Sequence, residues 1–273
     1  MEARLPFAKM HGAGNDFIMV DARRLPAGGL TAARIAALCE RRRGIGADGL
    51  IVVAPVAGAD FAMTYYNADG GEAEMCGNGA RCAVAFARRL GLAPQDECAF
   101  QTASGRVAGR WHAGEVAVTL TPPRDLRLNV TVADSPFAEH HVANTGVPHL
   151  VVPVADVGDV DVARWGPFLR RHAAFAPAGT NVNWVSPASP SGGPWRLRTY
   201  ERGVEAETLA CGTGASATAL VLRALGRAAS PVSLLTRGGD VLAVAIEGSG
   251  AGTRLQLRGP AVVSFEGEVG WHE

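Results

Sequence analysis

Cys76-Gly77-Asn78-Gly79 leads into an alanine-rich run, Ala80–Leu90, and Cys211-Gly212-Thr213-Gly214 leads into a second, Ala215–Leu225. Both runs outlast an ordinary strand, consist of good helix formers, and stop at a glycine, Gly91 and Gly226. Their polar faces are thin: Arg81, Arg88 and Arg89 in the first, Ser216, Thr218 and Arg223 in the second. Such helices are expected to be enclosed by strands rather than laid on a wet surface. The motifs recur nearly half a chain apart in a protein of 273 residues, which predicts two structurally similar lobes. Chance repetition among 34 glycines is the plainer reading, but the shared strand-turn-helix setting weighs against it.

Outward from these runs the chain is a series of short apolar segments broken by Gly, Pro, Asn and Asp. Leu50–Val53, Phe61–Tyr66, Val116–Leu120, Leu150–Val154, Trp195–Tyr200, Val241–Ile246, Leu255–Leu257 and Val262–Phe265 read as strands. The fold is therefore expected to be sheet-rich. Thr121-Pro122-Pro123-Arg124 cannot continue a strand ladder and marks a boundary. It gives a first lobe over 1–122, completed by a C-terminal strand at about 260–273, and a second lobe over 123–259. The breaker-rich Ser186–Pro194 reads as a surface turn between strands.

The composition points to a folded enzyme or binding protein: 48% hydrophobic and 19% charged, with mean hydropathy +0.10. Lys plus Arg and Asp plus Glu are both 26, and the strongest basic run is only Arg41–Arg43, read as a solvated turn or helix end. Nucleic acid is a poor candidate partner. Without a long apolar span or a basic-then-apolar start, no membrane association is expected and a cytoplasmic location is the default. Five cysteines at 39, 76, 82, 98 and 211, with no CxxC pair, suit neither a disulfide scaffold nor structural zinc. Cys39, Cys82 and Cys98 read as packed hydrophobes.

Cys76 and Cys211 are different because each precedes a helix start, where backbone N–H groups and the helix dipole favour thiolate. One such cysteine is ambiguous among nucleophile, redox thiol and core residue. Two in equivalent settings suggest a base on one face of a carbon and an acid on the other, which inverts a stereocentre. An amino-acid α-proton is hard to remove because the carbanion forms beside a carboxylate, and N–H donors at the two glycine turns could stabilise that charge. A redox disulfide is the competing reading. Gly44-Ile45-Gly46 and Gly77-Asn78-Gly79 do not complete a dinucleotide fingerprint, and the lone Lys9 does not establish a pyridoxal phosphate site.

Nearly the whole chain resembles the diaminopimelate epimerase family. The resemblance rests on Lys9-Met10-His11-Gly12-Ala13-Gly14-Asn15-Asp16-Phe17, Arg43-Gly44-Ile45-Gly46-Ala47-Asp48-Gly49 and Tyr66-Asn67-Ala68-Asp69-Gly70. It continues through Glu74-Met75-Cys76-Gly77-Asn78-Gly79-Ala80-Arg81-Cys82, Glu201-Arg202-Gly203 and Glu207-Thr208-Leu209-Ala210-Cys211-Gly212-Thr213-Gly214. It implies an α+β protein of two pseudo-symmetric lobes, each a curved, mostly antiparallel sheet or barrel around a central helix, with the active site in the interlobe cleft. It also implies interconversion of LL- and meso-2,6-diaminopimelate in lysine biosynthesis, with Cys76 and Cys211 as reciprocal acid and base, no cofactor, no metal, and a homodimer.

By the same resemblance Asn15, Asn67, Asn181, Glu201 and Arg202 recognise the substrate, whose zwitterionic end needs carboxylate donors and an ammonium acceptor. Gly77-Asn78 and Gly212-Thr213 contact the reacting end through their backbones, although Asn78 and Thr213 could also cap their helices. His149 and Glu201 are expected in supporting roles near the reaction centre, and His11 is expected to organise its loop. Two positions depart from the family pattern. Val147 stands where many relatives have Asn, and Gly49 stands where some have a polar side chain. The alternatives are a proline or hydroxyproline racemase using the same two thiols, and a non-catalytic amino-acid-binding protein.

Overall fold

The computed structural model describes residues 3–73, 76–112, 114–187 and 192–271. Glu74 and Met75 of the first cysteine motif, part of the Ser186–Pro194 turn, and the last two residues of the C-terminal strand reading lie outside the described residues. The chain divides into two units, Met1–Val118 with Gly259–Glu273, and Thr119–Arg258.

In the first unit β1 (Ala3–Gly12) and β2 (Asn15–Asp21) form a hairpin, and α1 (Ala32–Cys39) leads to β3 (Gly49–Ala54), β4 (Phe61–Asn67) and β5 (Glu72–Ala73). Helix α2 (Gly77–Arg89) then leads to β6 (Glu97–Thr102), β7 (Gly105–His112) and β8 (Glu115–Thr119). The β1–β2, β3–β4, β6–β7 and β7–β8 pairs are antiparallel. The β2–β3 and β4–β6 pairs are parallel, and α1 and α2 supply the crossovers that parallel pairing requires.

The second unit repeats this plan. Strands β9 (Arg124–Arg127), β10 (His141–Asn144) and β11 (Pro148–Pro153) precede α3 (Val162–Arg170), then come β12 (Asn181–Ser186), β13 (Trp195–Glu201) and β14 (Ala206–Thr208). Helix α4 (Gly212–Ala224) leads to β15 (Val232–Leu235), β16 (Val241–Glu247) and β17 (Arg254–Pro260), and β18 (Val262–Trp271) pairs with β1. Again the pairs spanned by helices, β11–β12 and β13–β15, are parallel, while β10–β11, β12–β13 and β15–β16 are antiparallel.

β3 is buried from Gly49 to Val53 and β12 along its whole length, because each strand is covered on both faces; β3 is accordingly apolar throughout after Gly49, whereas β12 buries Asn181, Asn183 and Ser186 among its apolar residues. Leu50 and Val52 pack with Ile35 and Leu38 of α1, while Val182 and Trp184 pack with Val162 and Leu169 of α3. The opposite faces meet the central helices, where Gly79 lies against Ile51 and Gly214 against Asn183. Each fully buried Leu or Ile contributes about 1.5–3 kcal/mol relative to exposure. Accordingly α2 is buried from Gly77 through Ala87, and α4 from Gly212 through Leu222 except Thr213.

Both central helices end alike. Leu92 N donates to Ala87 O and Arg227 N to Leu222 O, each at 2.9 Å, around Gly91 (φ +73°) and Gly226 (φ +69°). This is a Schellman ending, and the left-handed position favours glycine because it lacks a Cβ. The starts differ from the sequence expectation. Gly77-Asn78-Gly79 and Gly212-Thr213-Gly214 form the first helical turns themselves, three residues earlier than the apolar runs suggested. Gly79 and Gly214 serve close packing rather than a turn: a Cβ on Gly79 would stand 2.7 Å from Ile51 Cδ1, and one on Gly214 only 2.3 Å from Asn183 Oδ1. Among the described residues no helix is long and apolar enough to cross a membrane.

Candidate active site

Cys76 and Cys211 are the N-cap residues of α2 and α4, both with extended backbone (φ −133° and −121°). Each sulfur accepts the backbone N–H three residues on, from Gly79 at 3.5 Å and Gly214 at 3.4 Å. Asn78 and Thr213 therefore do not cap their helices. Ser, Thr, Asp or Asn would be the stronger cap, worth about 1 kcal/mol over Ala. Thiols at both N-caps are thus better explained by chemistry than by helix stability.

In the first unit β1 and β2 are joined by a two-residue turn with φ +58° at Ala13 and +85° at Gly14, the type I′ geometry of tight hairpins. The turn, steadied by Gly14 N donating to His11 Nδ1 at 3.3 Å, brings Asn15 to the start of α2. Asn15 Oδ1 accepts from Cys76 Sγ at 3.5 Å and from Asn78 Nδ2 at 3.3 Å, while its Nδ2 donates to Asp48 Oδ2 at 2.7 Å. Asn78 Oδ1 in turn accepts from the fully buried Arg81 at 3.0 Å.

Behind Asp48 lies an ion network in which Arg41 bridges Asp16 and Asp48 and Lys9 pairs with Asp16 at 2.8 Å. Burial works against the Asp16 carboxylate, but hydrogen bonds from Arg41 and Lys9 hold its pKa well below the ordinary range. The Arg41–Arg43 run is an exposed turn after α1, with the backbone N–H groups of Arg42 and Arg43 held by the Glu40 carboxylate. Asn67 sits exposed at the end of β4, opposite Gly49 in the ladder. A Cβ on Gly49 would stand 2.4 Å from Tyr66 O and 2.6 Å from the Tyr65 ring, so no side chain fits there.

In the second unit Cys211 is buried, its sulfur 3.5 Å from Thr213 Oγ1. Burial, then the nearby Glu201 carboxylate, pushes its pKa well above the ordinary thiol value. This corrects the expectation that a helix start makes the thiolate: at Cys211 desolvation outweighs the N–H donors, so this residue is held as the thiol. Thr145 Oγ1 donates to Thr213 O at 2.9 Å and ties the β10–β11 turn, with Val147, to the helix start. Thr208 Oγ1 donates to Glu201. Asn181 is doubly engaged, Nδ2 donating to Pro148 O and Oδ1 accepting from Arg202 N, both at 2.9 Å, and Arg202 donates to Ala178 O at 3.1 Å.

His149 is fully buried, and desolvation, aided by Arg202, pushes its pKa down to about 3. It is a neutral imidazole. Asn183 Nδ2 donates to its Nδ1 at 3.2 Å, so the ring proton belongs on Nε2, which has no partner among the described residues. Asn183 is itself anchored by donating to Leu150 O and accepting from Thr199 Oγ1, each at 3.0 Å. Sequence reasoning missed Asn183 as a local organiser, although Asn181-Val182-Asn183 carries a signal: two amides on one face of an otherwise apolar strand. It also missed Asp48, whose place beside Asn15 depends on a contact 33 residues distant. Cys39, Cys82 and Cys98 are buried, which pushes their pKa values to about 11, 12 and 11.

Solved structures share this architecture. A hydroxyproline epimerase from Agrobacterium vitis aligns with a TM-score of 0.70 at 17% identity, over 100% of this chain and 95% of that one. A PhzF-family phenazine biosynthesis protein from Bacillus anthracis gives 0.75 at 15% identity, over 97% and 99%. At these identities the likeness shows the class of fold alone, an α+β architecture shared with those two proteins. Sequence narrows it further. The diaminopimelate epimerase family model matches residues 7–124 and 141–262. The diaminopimelate epimerase of Gemmatimonas aurantiaca is 42% identical, over 97% of this chain and 99% of that protein, and that of a Hydrogenobaculum species is 39% identical, over 96% and 98%. The chain belongs to the diaminopimelate epimerase family.

Proposed function

We propose that this protein epimerises LL-2,6-diaminopimelate to the meso form in lysine biosynthesis by two-base proton transfer, with Cys76 and Cys211 as the acid–base pair. The observation that carries the assignment of the residues is the duplicated junction: in a chain of this family, two thiols cap two equivalent helices in units of the same strand plan.

Cys211, held as a thiol by burial and Glu201, is the proton donor when Cys76 acts as thiolate base. The α-proton passes to the Cys76 sulfur and the Cys211 proton passes to the opposite face of the carbon. The reverse reaction exchanges the roles. The substrate carboxylate takes N–H donors from the turns Gly77-Asn78 and Gly212-Thr213, which stabilises charge developing at the neighbouring carbon. His149 donates its Nε2 proton to the substrate without adding a charge, a reading supported by its neutral imidazole and by an Nε2 with no partner among the described residues. Asn15, Asn67, Asn181, Glu201 and Arg202 supply the polar contacts for the second zwitterionic terminus. The reaction needs no organic cofactor or metal, and the enzyme works in the cytoplasm as a homodimer.

The test is conversion of LL-diaminopimelate by the reduced protein in deuterated buffer without added metal or pyridoxal phosphate. Meso product with deuterium at the inverted α-carbon is expected. A folded, reduced protein that neither converts nor exchanges this substrate, but does so with proline-like amino acids, would replace the substrate assignment.

A further inference from the structure

At the Cys76 junction two side-chain amides lie between a buried cation and a carboxylate. Arg81 donates to Asn78 Oδ1 at 3.0 Å, Asn78 Nδ2 donates to Asn15 Oδ1 at 3.3 Å, and Asn15 Nδ2 donates to Asp48 Oδ2 at 2.7 Å. An amide can ordinarily be turned over to exchange its oxygen and nitrogen, but here both ends of the chain are charged and each accepts only one orientation. Arg81 has donors alone, so it must meet the Asn78 oxygen, and ionised Asp48 has acceptors alone, so it must meet the Asn15 nitrogen. The Asn15 oxygen is thereby directed at Cys76 Sγ, 3.5 Å away.

We propose that Asp48 is a positioning residue for the epimerisation: by fixing the Asn15 amide it keeps a hydrogen-bond acceptor on the Cys76 sulfur, so that the proton taken from the substrate is received as an S–H held by Asn15. The proposal rests on Cys76 being one of the two bases. It goes beyond substrate recognition, because it gives Asn15 a role at the sulfur and gives Asp48, which makes no contact with the thiol, a role through Asn15.

The physical argument is one of selectivity between protonation states. A hydrogen bond accepted from S–H stabilises the neutral thiol, whereas the Gly79 N–H donated to the same sulfur stabilises the thiolate. Together they hold Cys76 between the two states, which is what a group that is base in one direction and acid in the other requires. If the amide were released, its NH2 could turn toward the sulfur and, like the Gly79 N–H, favour thiolate. Cys76 would then be a weaker base, and less of it would stand as the thiol that donates a proton.

Asp48 is itself held in place from the other side by its ion pair with Arg41 at 2.7 Å, and Arg41 is joined in turn through Asp16 to Lys9. Among the described residues, charged and titratable groups on the elements packed against this end of α2 include Lys9 and His11 of β1, Asp16 of β2 and Tyr65 of β4. On α2 itself they are Arg81 and Cys82. β7 meets α2 at Val84, two turns further along. Because these other charges also act on the sulfur, loss of the Asp48 charge alone would shift Cys76, and the experiment must separate field from positioning.

The measurement is the pH dependence of Cys76 alkylation by iodoacetamide, read peptide by peptide by mass spectrometry, in the full protein and in D48N, N15A and the double variant. D48N is expected to lower the Cys76 midpoint by roughly one pH unit, a tenfold rise in thiolate fraction. N15A is expected to lower it similarly, and D48N is expected to add little on top of N15A, with kcat falling more than KM changes in both single variants. An unchanged midpoint in N15A overturns the proposal, whatever the folding of D48N. An equal D48N shift with and without Asn15 also overturns it, because Asp48 would then act by its field alone. Turnover by C76A would remove the functional reading while leaving the alkylation comparison intact.

Discussion

Residues 51 and 183 stand at equivalent places in the two units, each on the strand behind a central helix, yet one is isoleucine and the other asparagine. The equivalence is read from the parallel ladders, where Phe17 pairs with Gly49 two residues before Ile51, and His149 pairs with Asn181 two residues before Asn183. Behind Gly79 the first unit presents Ile51 and Phe17, an apolar wall. Behind Gly214 the second presents Asn183 hydrogen-bonded to His149, a polar and fully buried pair. Val147 stands two places before His149 as Asn15 stands two before Phe17, so the second unit has no amide where the first has one beside its thiol. The same motif has thus been set in two environments: Cys76, half-buried, faces a neutral amide oxygen, and Cys211, buried, faces a carboxylate. A duplicated backbone gives two helix starts; their surroundings give two different thiols.

The largest test of that comparison is removal of each thiol. C76A and C211A are each expected to lose epimerisation by about 10²–10⁴-fold, the range of a positioned acid or base. Solvent-deuterium exchange should then persist for one stereoisomer only, and the stereoisomer should differ between the two variants. Proton NMR of LL- and meso-diaminopimelate in deuterated buffer reads both; identical stereochemistry in the two variants would break the assignment of one cysteine to each face.

The next effect is on stability against pH and belongs to the second unit alone. His149 has a folded pKa of about 3 against about 6.5 unfolded, so it is proton-free in the native state while the unfolded chain binds a proton as pH falls below 6.5. Its contribution is fully present above pH 6.5 and is lost as pH falls from there toward 3, by about 1.4 kcal/mol per pH unit. His140 and His141, also pushed down chiefly by burial, act with the same sign, whereas Asp16 acts only below the ordinary carboxylate value of 3.8. Urea unfolding between pH 7 and 4 should show the loss, and H149Q should flatten it. An unchanged slope would mean that the imidazole is not held neutral.

A smaller, paired effect distinguishes the two walls directly. An alanine at 214 meets Asn183 Oδ1, which is anchored by its own hydrogen bonds, while an alanine at 79 meets the mobile tip of Ile51. G214A is expected to cost about 1–3 kcal/mol through overpacking. In G79A the better helix propensity of alanine, worth about 1 kcal/mol, offsets most of the clash. Denaturant midpoints decide it, and equal losses would contradict the difference between the walls. The smallest effect concerns Glu201. E201Q should lower the alkylation midpoint of Cys211 by roughly one pH unit and leave Cys76 unmoved, because burial, the larger cause at Cys211, stays in place.

Much of the site was readable because its signals are local. Cys-Gly-x-Gly, the alanine-rich run and the closing glycine are contiguous, and the structure returns each as cap, buried helix and Schellman ending. Leu50–Val53 declares itself as a strand by its unbroken apolar run, and Trp195–Tyr200 by large apolar residues interleaved with arginines. Other features were legible only in part. β1, β2, α1 and α3 mix polar and apolar residues over short spans, and α3 even contains Pro167, so they owe their form to packing against the sheet.

The sequence by itself determined that two like elements exist, each led by a thiol at a helix start, because helix propensity, breakers and motif spacing are properties of neighbouring residues. Only the tertiary structure decided what surrounds each thiol: Asp48 comes to Asn15 from 33 residues away, and Glu201 lies near Cys211 through the β13–β14 pairing that precedes α4. Proton affinity follows from burial and from those distant partners, and so the side on which a proton rests is a property of the folded chain.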